Sequence, residues 1–341
     1  MRALFLSGPK SLRLRETQPA KPAPEWVRVR MRYVGICGSD IHYYAAGRIG
    51  DQIVTEPFIL GHEGSGQLEE AVGEAPAGTP VYIEPAVACH QCDQCLAGRE
   101  NTCRNLRFLG NPQDLPGCMS EEISMPSECL VPLPGWMGQE EAVLLEPLCI
   151  GVYAVERSRF PRGGSAAIVG AGPIGLCVLL GLSECGPATV FVSEPIEARR
   201  RAALELGAAN SIGPSAKGSA SAIMDASNGG VDVAFECAGT QESIDDAAAM
   251  LKPGGTLMLI GIPEGTDRIT YDAHLMRRRE ITVVNVRRQN KSLERAVSLL
   301  HRRRDAAKVL ITHRFPPNRA MDAFELVQRK ADNAIKVLLE F

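Results

Sequence analysis

Hydrophobic and polar positions follow two different periods along this chain. Up to about residue 147 the apolar runs are short. In WVRVRMRYVGI the positions Val27, Val29, Met31 and Tyr33 fall on every second residue, the spacing of a strand with one buried face. MRALFLSGPK opens with a four-residue apolar run stopped by Ser-Gly-Pro, which predicts a first strand and is too short for a secretion signal. GTPVYIEP predicts another strand. With Pro and Gly frequent between these segments, the first half reads as an irregular β-barrel-like domain.

From about Ser165 the pattern becomes apolar strand, then helix, repeatedly. Strands are predicted at SAAIVG, TVFVS, NSI, VDVAFE, TLMLIGI and ITVVNV, with helices between most of them, such as PIEARRRAALELG with its glycine stop. Alternating β and α elements predict an α/β fold with a doubly wound parallel sheet. The 17-residue apolar stretch Ala166–Leu182 is broken by Gly170, Gly172, Pro173 and Gly175; a membrane span needs about 20 residues, so the stretch reads as buried strand plus buried helix. The tail continues with a helical segment KSLERAVSLLHRR, a strand KVLITHRF, a helix NRAMDAFELVQR and a last strand AIKVLLEF. Six parallel strands already complete a sheet by then, so the tail is assigned back to the first domain. The expected domains are 1–147 with 289–341, and 148–288.

Composition adds exclusions. The chain of 341 residues is 45% hydrophobic and 23% charged, with a net charge of −3, which offers no basic patch for nucleic acid. Eleven cysteines without a secretion signal argue for metal binding or burial in a cytoplasmic protein rather than for disulfides.

The segment IVGAGPIGL carries Gly170, Gly172 and Gly175 as G-x-G-x-x-G between a predicted strand and a predicted helix, the context that makes this motif informative. It predicts a tight turn, close approach of backbone to a pyrophosphate, and a helix N-terminus facing the phosphates. Glu194 follows the next strand, 19 positions after Gly175, where a carboxylate accepts both ribose hydroxyls and repels a 2′-phosphate. NAD is therefore favoured over NADP. The expected cofactor contacts are Gly170, Gly172, Pro173, Ile174, Gly175, Glu194 and Arg199. At least two of Arg199, Arg200 and Arg201 read as a solvated helix face.

ACHQCDQCLAGRENTC places Cys89, Cys92, Cys95 and Cys103 in one lobe of about 88–104. Four thiolates close a tetrahedral zinc site and leave no open position, so this site is structural. An iron–sulfur cluster is the rival, but its run continues Cys-x3-Cys-Pro; here the last gap is seven residues and Arg104 follows. Candidates for an open site are Cys37 in GICGSDIHYY, His62 and Glu63 in LGHEGSG, and Glu146 in LLEPLCIG, although spacing alone does not bring them together.

On these stretches the chain resembles the zinc-dependent medium-chain dehydrogenases, and within them the sorbitol/xylitol (polyol) dehydrogenases. CGSD-H and GHE mark the wider family; HYY, GRIG, and Glu rather than Cys before PL point to the polyol branch. The resemblance implies a GroES-like catalytic domain beside the Rossmann domain and two zinc ions per chain. It implies that Cys37, His62 and Glu63 bind catalytic zinc, with Glu146 as ligand or as partner of the bound water. It further implies oxidation of a secondary alcohol, zinc polarising the substrate oxygen and hydride passing to NAD, with the proton leaving through Ser39, the cofactor ribose and His42. Tyr43, Phe108 and Arg287 are the implied substrate contacts. Arg288 departs from the tyrosine typical of animal sorbitol dehydrogenases, and two adjacent guanidinium groups suit a carboxylate. A sugar acid is thus the alternative to a neutral polyol. Threonine or butanediol oxidation is a further alternative, and a non-catalytic NAD-binding protein the remaining one. The resemblance also implies a homotetramer or dimer; TLMLIGI and ITVVNV are candidates for pairing across subunits. No membrane or nucleic-acid partner is expected.

Overall fold

The computed structural model describes residues 1–19, 23–214, 218–263 and 268–341. The chain divides into two compact units, Met1–Glu146 with Ile311–Phe341, and Pro147–Leu310. The expected return of the chain at residue 289 falls instead at Ile311. The amphipathic helix Leu293–Arg302 stays in the second unit, tied there by ion pairs from Arg295 to Glu156 and from Arg302 to Glu184.

The first unit is built on a seven-stranded sheet. Leu130–Pro132, Pro80–Ile83, Glu63–Leu68, Trp26–Gly35, Lys336–Glu340 and Ile311–Phe315 lie in that order, and Glu122–Pro126 also pairs with Trp26–Gly35. The predicted alternation holds at first: Val27, Val29 and Met31 are buried while Arg28, Arg30 and Arg32 are exposed. It then slips. The register against Glu63–Leu68 shifts between Met31 and Tyr33, a bulge that reverses which face the following residues take. Val34 and not Tyr33 is therefore the buried residue, and Gly35 comes to lie opposite Glu63. The helix Gly38–Ala46 follows at once. Its Tyr44 packs on Phe324 of the C-terminal helix Ala320–Gln328, ring centres 5.2 Å apart, and both are fully buried in the core of this unit. Burial of an aromatic side chain contributes about 1.5–3 kcal/mol, so the C-terminal segment anchors the helix that carries Ser39, His42 and Tyr43.

The second unit is a six-stranded sheet in the order Asn210–Ile212, Thr189–Ser193, Ser165–Val169, Val231–Glu236, Leu251–Leu259 and Thr282–Asn285. Every pairing is parallel. The strand order reverses beside Ser165–Val169, which is the switch point where such sheets bind ligands at their carboxyl ends. The 17-residue apolar stretch resolves into this central strand and the helix Pro173–Leu182. No helix among the described residues is long and apolar enough to cross a membrane.

Candidate active site

Cys37, His62 and Glu63 converge. Their ligand atoms lie within 4.8 Å of one another. Cys37 sits at the N-terminus of the helix Gly38–Ala46, and its backbone N–H donates to Asp40 at 2.9 Å. The second Asp40 oxygen accepts from the Gly61 N–H at 3.2 Å and faces His62 Nδ1 at 3.9 Å. One buried carboxylate thus fixes the Cys37 turn and the chain entering His62, and stands beside the His62 ring. With Nδ1 turned toward Asp40, Nε2 is the ring atom available to a metal.

Glu63 is held from two strands away in the same sheet. Lys336 Nζ lies 2.7 and 2.5 Å from the two Glu63 carboxylate oxygens and 3.2 Å from the carbonyl of Ile36. Trp26–Gly35 runs between their two strands, and Gly35 is what lets them meet: a Cβ there would lie 2.2 Å from Glu63 Oε2. Burial opposes the charge on Lys336, but Glu63, Cys37 and Glu146 outweigh it and hold the lysine above its ordinary pKa. A carboxylate has about four acceptor positions, so the lysine leaves Glu63 able to ligate as well.

Glu146 lies outside the tight ligand group. It is 5% exposed, and among the described residues its Oε2 has no hydrogen-bond partner. Burial pushes its carboxyl up to about 8, with Glu63 and Cys37 adding to the rise and His62 opposing it. Burial, and next Glu63, push the Cys37 thiol up to about 12, while a hydrogen bond from Ser39 opposes this. Around Lys336, Cys37, Asp40, Glu63 and Glu146 are four acidic groups. A dication would offset most of the remaining charge and give the Glu146 oxygen a partner, directly or through water. The residues therefore fit a zinc ion with three protein ligands and an open position. Of the two roles expected for Glu146, partner of the bound water suits its place outside the group.

Phe108 reaches this cluster through its ring, 5.3 Å from the His62 ring. Its loop is zipped onto the segment before His62 by Gly117 N–H to Ile59, Met119 N–H to Leu60 and Cys118 N–H to Gly61, at 2.8, 2.9 and 2.9 Å. Ser39 and His42 are three residues apart on one helix and so share a face. Tyr43 is buried, with its hydroxyl 2.9 Å from Gln52 and 3.0 Å from Asn111.

The four lobe cysteines form the second ligand group. Cys92 Sγ lies 3.6 Å from Cys95 and 3.9 Å from Cys103, and Cys89 lies 4.0 Å from Cys95. Four sulfurs on a tetrahedron about 2.3 Å from zinc are about 3.8 Å apart. The Gln91 backbone N–H, and then the Cys103 thiol, hold Cys89 down at about 6, which favours the thiolate a metal needs. The lobe has no hydrophobic core: Leu96, its one large apolar side chain, is 77% exposed. The exposed Arg104–Asp93 pair contributes about 1 kcal/mol at most. A zinc ion bound by the four cysteines would supply what holds the lobe. Cys103→Ser is therefore expected to remove one zinc per chain and lower the melting temperature by at least about 5 °C, checked by metal analysis and calorimetry. An unchanged melt would show that the lobe is held by other means.

In the second unit the Gly motif takes its expected shape. Gly170 has φ +95°, and a Cβ on Gly175 would lie 1.9 Å from the Gly170 carbonyl oxygen. Gly172 caps the helix Pro173–Leu182 without a side chain, leaving the first N–H groups, including that of Ile174, for a phosphate. Glu194 is buried; one oxygen accepts from Ala171 N–H at 2.7 Å and the other from Ile196 N–H at 2.9 Å. The carboxylate is fixed over the Gly turn with lone pairs to spare for ribose hydroxyls. The arginine run differs from expectation, since only Arg201 is a plain solvated residue, paired with Glu197. Arg199 is buried, which pulls its pKa down against the pull of Glu194, and Arg200 folds back to donate to the carbonyls of Glu194 and Pro195. Arg287 and Arg288 follow the edge strand Thr282–Asn285 of this unit, Arg288 with φ +53°.

Two family models match the chain: the alcohol dehydrogenase GroES-like domain over residues 23–135 and the zinc-binding dehydrogenase domain over 173–302. The chain is 34% identical to the sorbitol dehydrogenase of Macaca fascicularis, over 99% of this chain and 95% of that protein. It is 31% identical to the L-idonate 5-dehydrogenase of Vitis vinifera, over 98% and 93%.

The chain belongs to the zinc-dependent medium-chain dehydrogenases, in the polyol branch. Among solved structures, the 2R,3R-butanediol dehydrogenase of Bacillus subtilis superposes with a TM-score of 0.87 at 28% identity, covering 100% of this chain and 99% of that one. As a member of this family the protein is an NAD-dependent dehydrogenase of polyols or related secondary alcohols.

For this dehydrogenase, sequence reasoning missed Asp40, Lys336, Gln52 and Asn111. Lys336 left a signal: it stands alone in the apolar run AIKVLL, and a lysine buried in a strand needs a charged partner. Asp40 is legible only as a polar residue three positions into a helix, and Gln52 and Asn111 carry no local signal.

Proposed function

We propose that this dehydrogenase oxidises a secondary hydroxyl of a polyol to the ketose, at the site built from Cys37, His62, Glu63 and Glu146. The observation that carries this is the ligand group of thiol, imidazole and carboxylate within 4.8 Å, beside a buried carboxylate oxygen that lacks a partner. When bound, zinc supplies Lewis acidity at the substrate oxygen and NAD the hydride acceptor. The chain's own residues do the rest. Asp40 and Lys336 orient the ligands. Ser39 Oγ accepts the hydroxyl proton as it releases its own toward His42, which is half-exposed on the same helix face and hands a proton to solvent. Glu194 selects NAD by accepting ribose hydroxyls.

A sugar acid is the second reading. It is favoured by the adjacent Arg287 and Arg288, and by a relative that acts on L-idonate. A screen of NAD reduction over C4–C6 alditols and the matching aldonates separates the two. Alditol turnover that chelation abolishes is the expected result. Turnover of aldonates alone would establish the second reading, and no turnover of either class would overturn both.

The eleven cysteines form no disulfide, which supports a reducing compartment such as the cytoplasm. Among the described residues the strand Thr282–Asn285 pairs on one side only, and we assign it to contact with a second copy, as dimer or tetramer.

A further inference from the structure

Tyr43 places one phenolic hydroxyl against two carboxamides. Its oxygen is 2.9 Å from Gln52 Oε1 and 3.0 Å from Asn111 Oδ1. A phenol has one hydrogen and cannot donate to both, so one amide must present its NH2 to the phenolic oxygen instead. Which end of an amide points where is settled by its remaining contacts. Asn111 Nδ2 lies 3.5 Å from Asp114 Oδ2, which keeps the Asn111 oxygen toward Tyr43. Gln52 is then the amide that turns, giving one N–H to the phenol and retaining a carbonyl acceptor and a second N–H.

Three features tie this triad to the segments that carry the metal ligands. Tyr43 is four residues after Ser39 on the same helix, so the two share a face about 6 Å apart along the axis. Asp114 also accepts from the Phe108 backbone N–H at 2.7 Å, so the turn that sets Asn111 also sets the ring on His62. Phe58 packs edge-on to Tyr43 at 5.7 Å, in the strand that leads to His62. Gln52 itself is pinned by the short hairpin of Arg48–Ile49 with Gln52–Ile53, opposite Ile49.

We infer that Gln52 and Asn111, arranged by Tyr43, are the subsite that reads the distal hydroxyls of the substrate, an inference that rests on the polyol reading above. The triad is neutral and offers both donors and acceptors, which matches a hydroxyl. The charged group on Asn111 is the Asp114 carboxylate, which the half-exposed Arg107 guanidinium 3.9 Å away offsets only in part, so a second carboxylate is disfavoured. The substrate class is thus a neutral chain of several carbons bearing hydroxyls beyond the reacting one, rather than a sugar acid or a short alcohol.

The test compares kcat/KM for a C6 alditol with that for 2,3-butanediol, whose chain ends before the subsite, in the zinc-loaded full chain. Gln52→Met keeps the length and removes the polar end; Asn111→Ala is the second variant, so that a folding defect in one does not decide the matter. Each is expected to lower kcat/KM for the alditol about 10–100-fold, the scale of one or two hydrogen bonds lost from a polar site. The loss should fall mainly on KM, and the butanediol value should change less than about threefold. Equal losses on both substrates, or no loss on the alditol, would overturn the inference while leaving the polyol reading intact. If the unaltered enzyme oxidises neither substrate, the polyol reading fails and the subsite with it.

Discussion

Replacing Cys37 by alanine is expected to abolish turnover while leaving the fold in place. The thiol is one of three ligands within 4.8 Å, and its loss removes the anionic sulfur from a site whose other donors are an imidazole and a carboxylate already shared with Lys336. Metal stabilisation of developing charge contributes several kcal/mol, and each 1.4 kcal/mol is tenfold in rate, so kcat/KM should fall by roughly three orders of magnitude or more. Stability should change little, because Cys37 begins a helix whose first turn is held by Asp40 accepting from the Cys37 backbone N–H, a bond that survives the substitution. Steady-state kinetics beside a thermal melt checks both halves. A variant that melts early and loses activity in proportion would indicate a structural thiol.

Lys336→Met is expected to produce the largest loss of stability among single substitutions near the site. The lysine and Glu63 side chains are 2% and 1% exposed, and removing one partner of a buried pair costs about 3–5 kcal/mol. At about 2–4 °C per kcal/mol, the melting temperature falls by about 10 °C. The drop should be larger after chelation, because a bound dication gives Glu63 a second cationic partner. Adding Glu63→Gln should recover part of the loss, which a double-mutant cycle measures. The pH dependence follows from the sign of the shift: the folded pKa of Lys336 is raised, so its contribution is fully present at neutral pH and fades only as pH rises through the alkaline range. A melt unaffected by the substitution would mean that Glu63 is satisfied elsewhere.

The parts of this molecule legible in its sequence are those whose geometry is local. Cys89, Cys92, Cys95 and Cys103 form one ligand group because a short loop brings them together, and the Gly motif forms its turn because Gly170 takes a positive φ and Gly175 packs against the Gly170 carbonyl within the same motif. The alternation of strands and helices from Ser165 fixes a parallel sheet for the same reason. What remained hidden depends on pairing between distant segments. The slip between Met31 and Tyr33 that sets Gly35 opposite Glu63 is a property of two strands. The helix Leu293–Arg302 shows its amphipathic face in the sequence, but the unit that receives it, where Glu156 and Glu184 also pair with its arginines, is set by residues more than 100 positions away. Lys336 and Glu63 are 273 residues apart, and Gln52 and Asn111 meet only through Tyr43.

The central claim is that one chain holds two zinc ions at two chemically different sites, only one of which contains Cys37. Metal content per chain, measured by mass spectrometry on the unaltered protein and on Cys37→Ala after identical purification, tests it most directly. The account predicts two zinc ions and one. Equal metal content in the two proteins would contradict it.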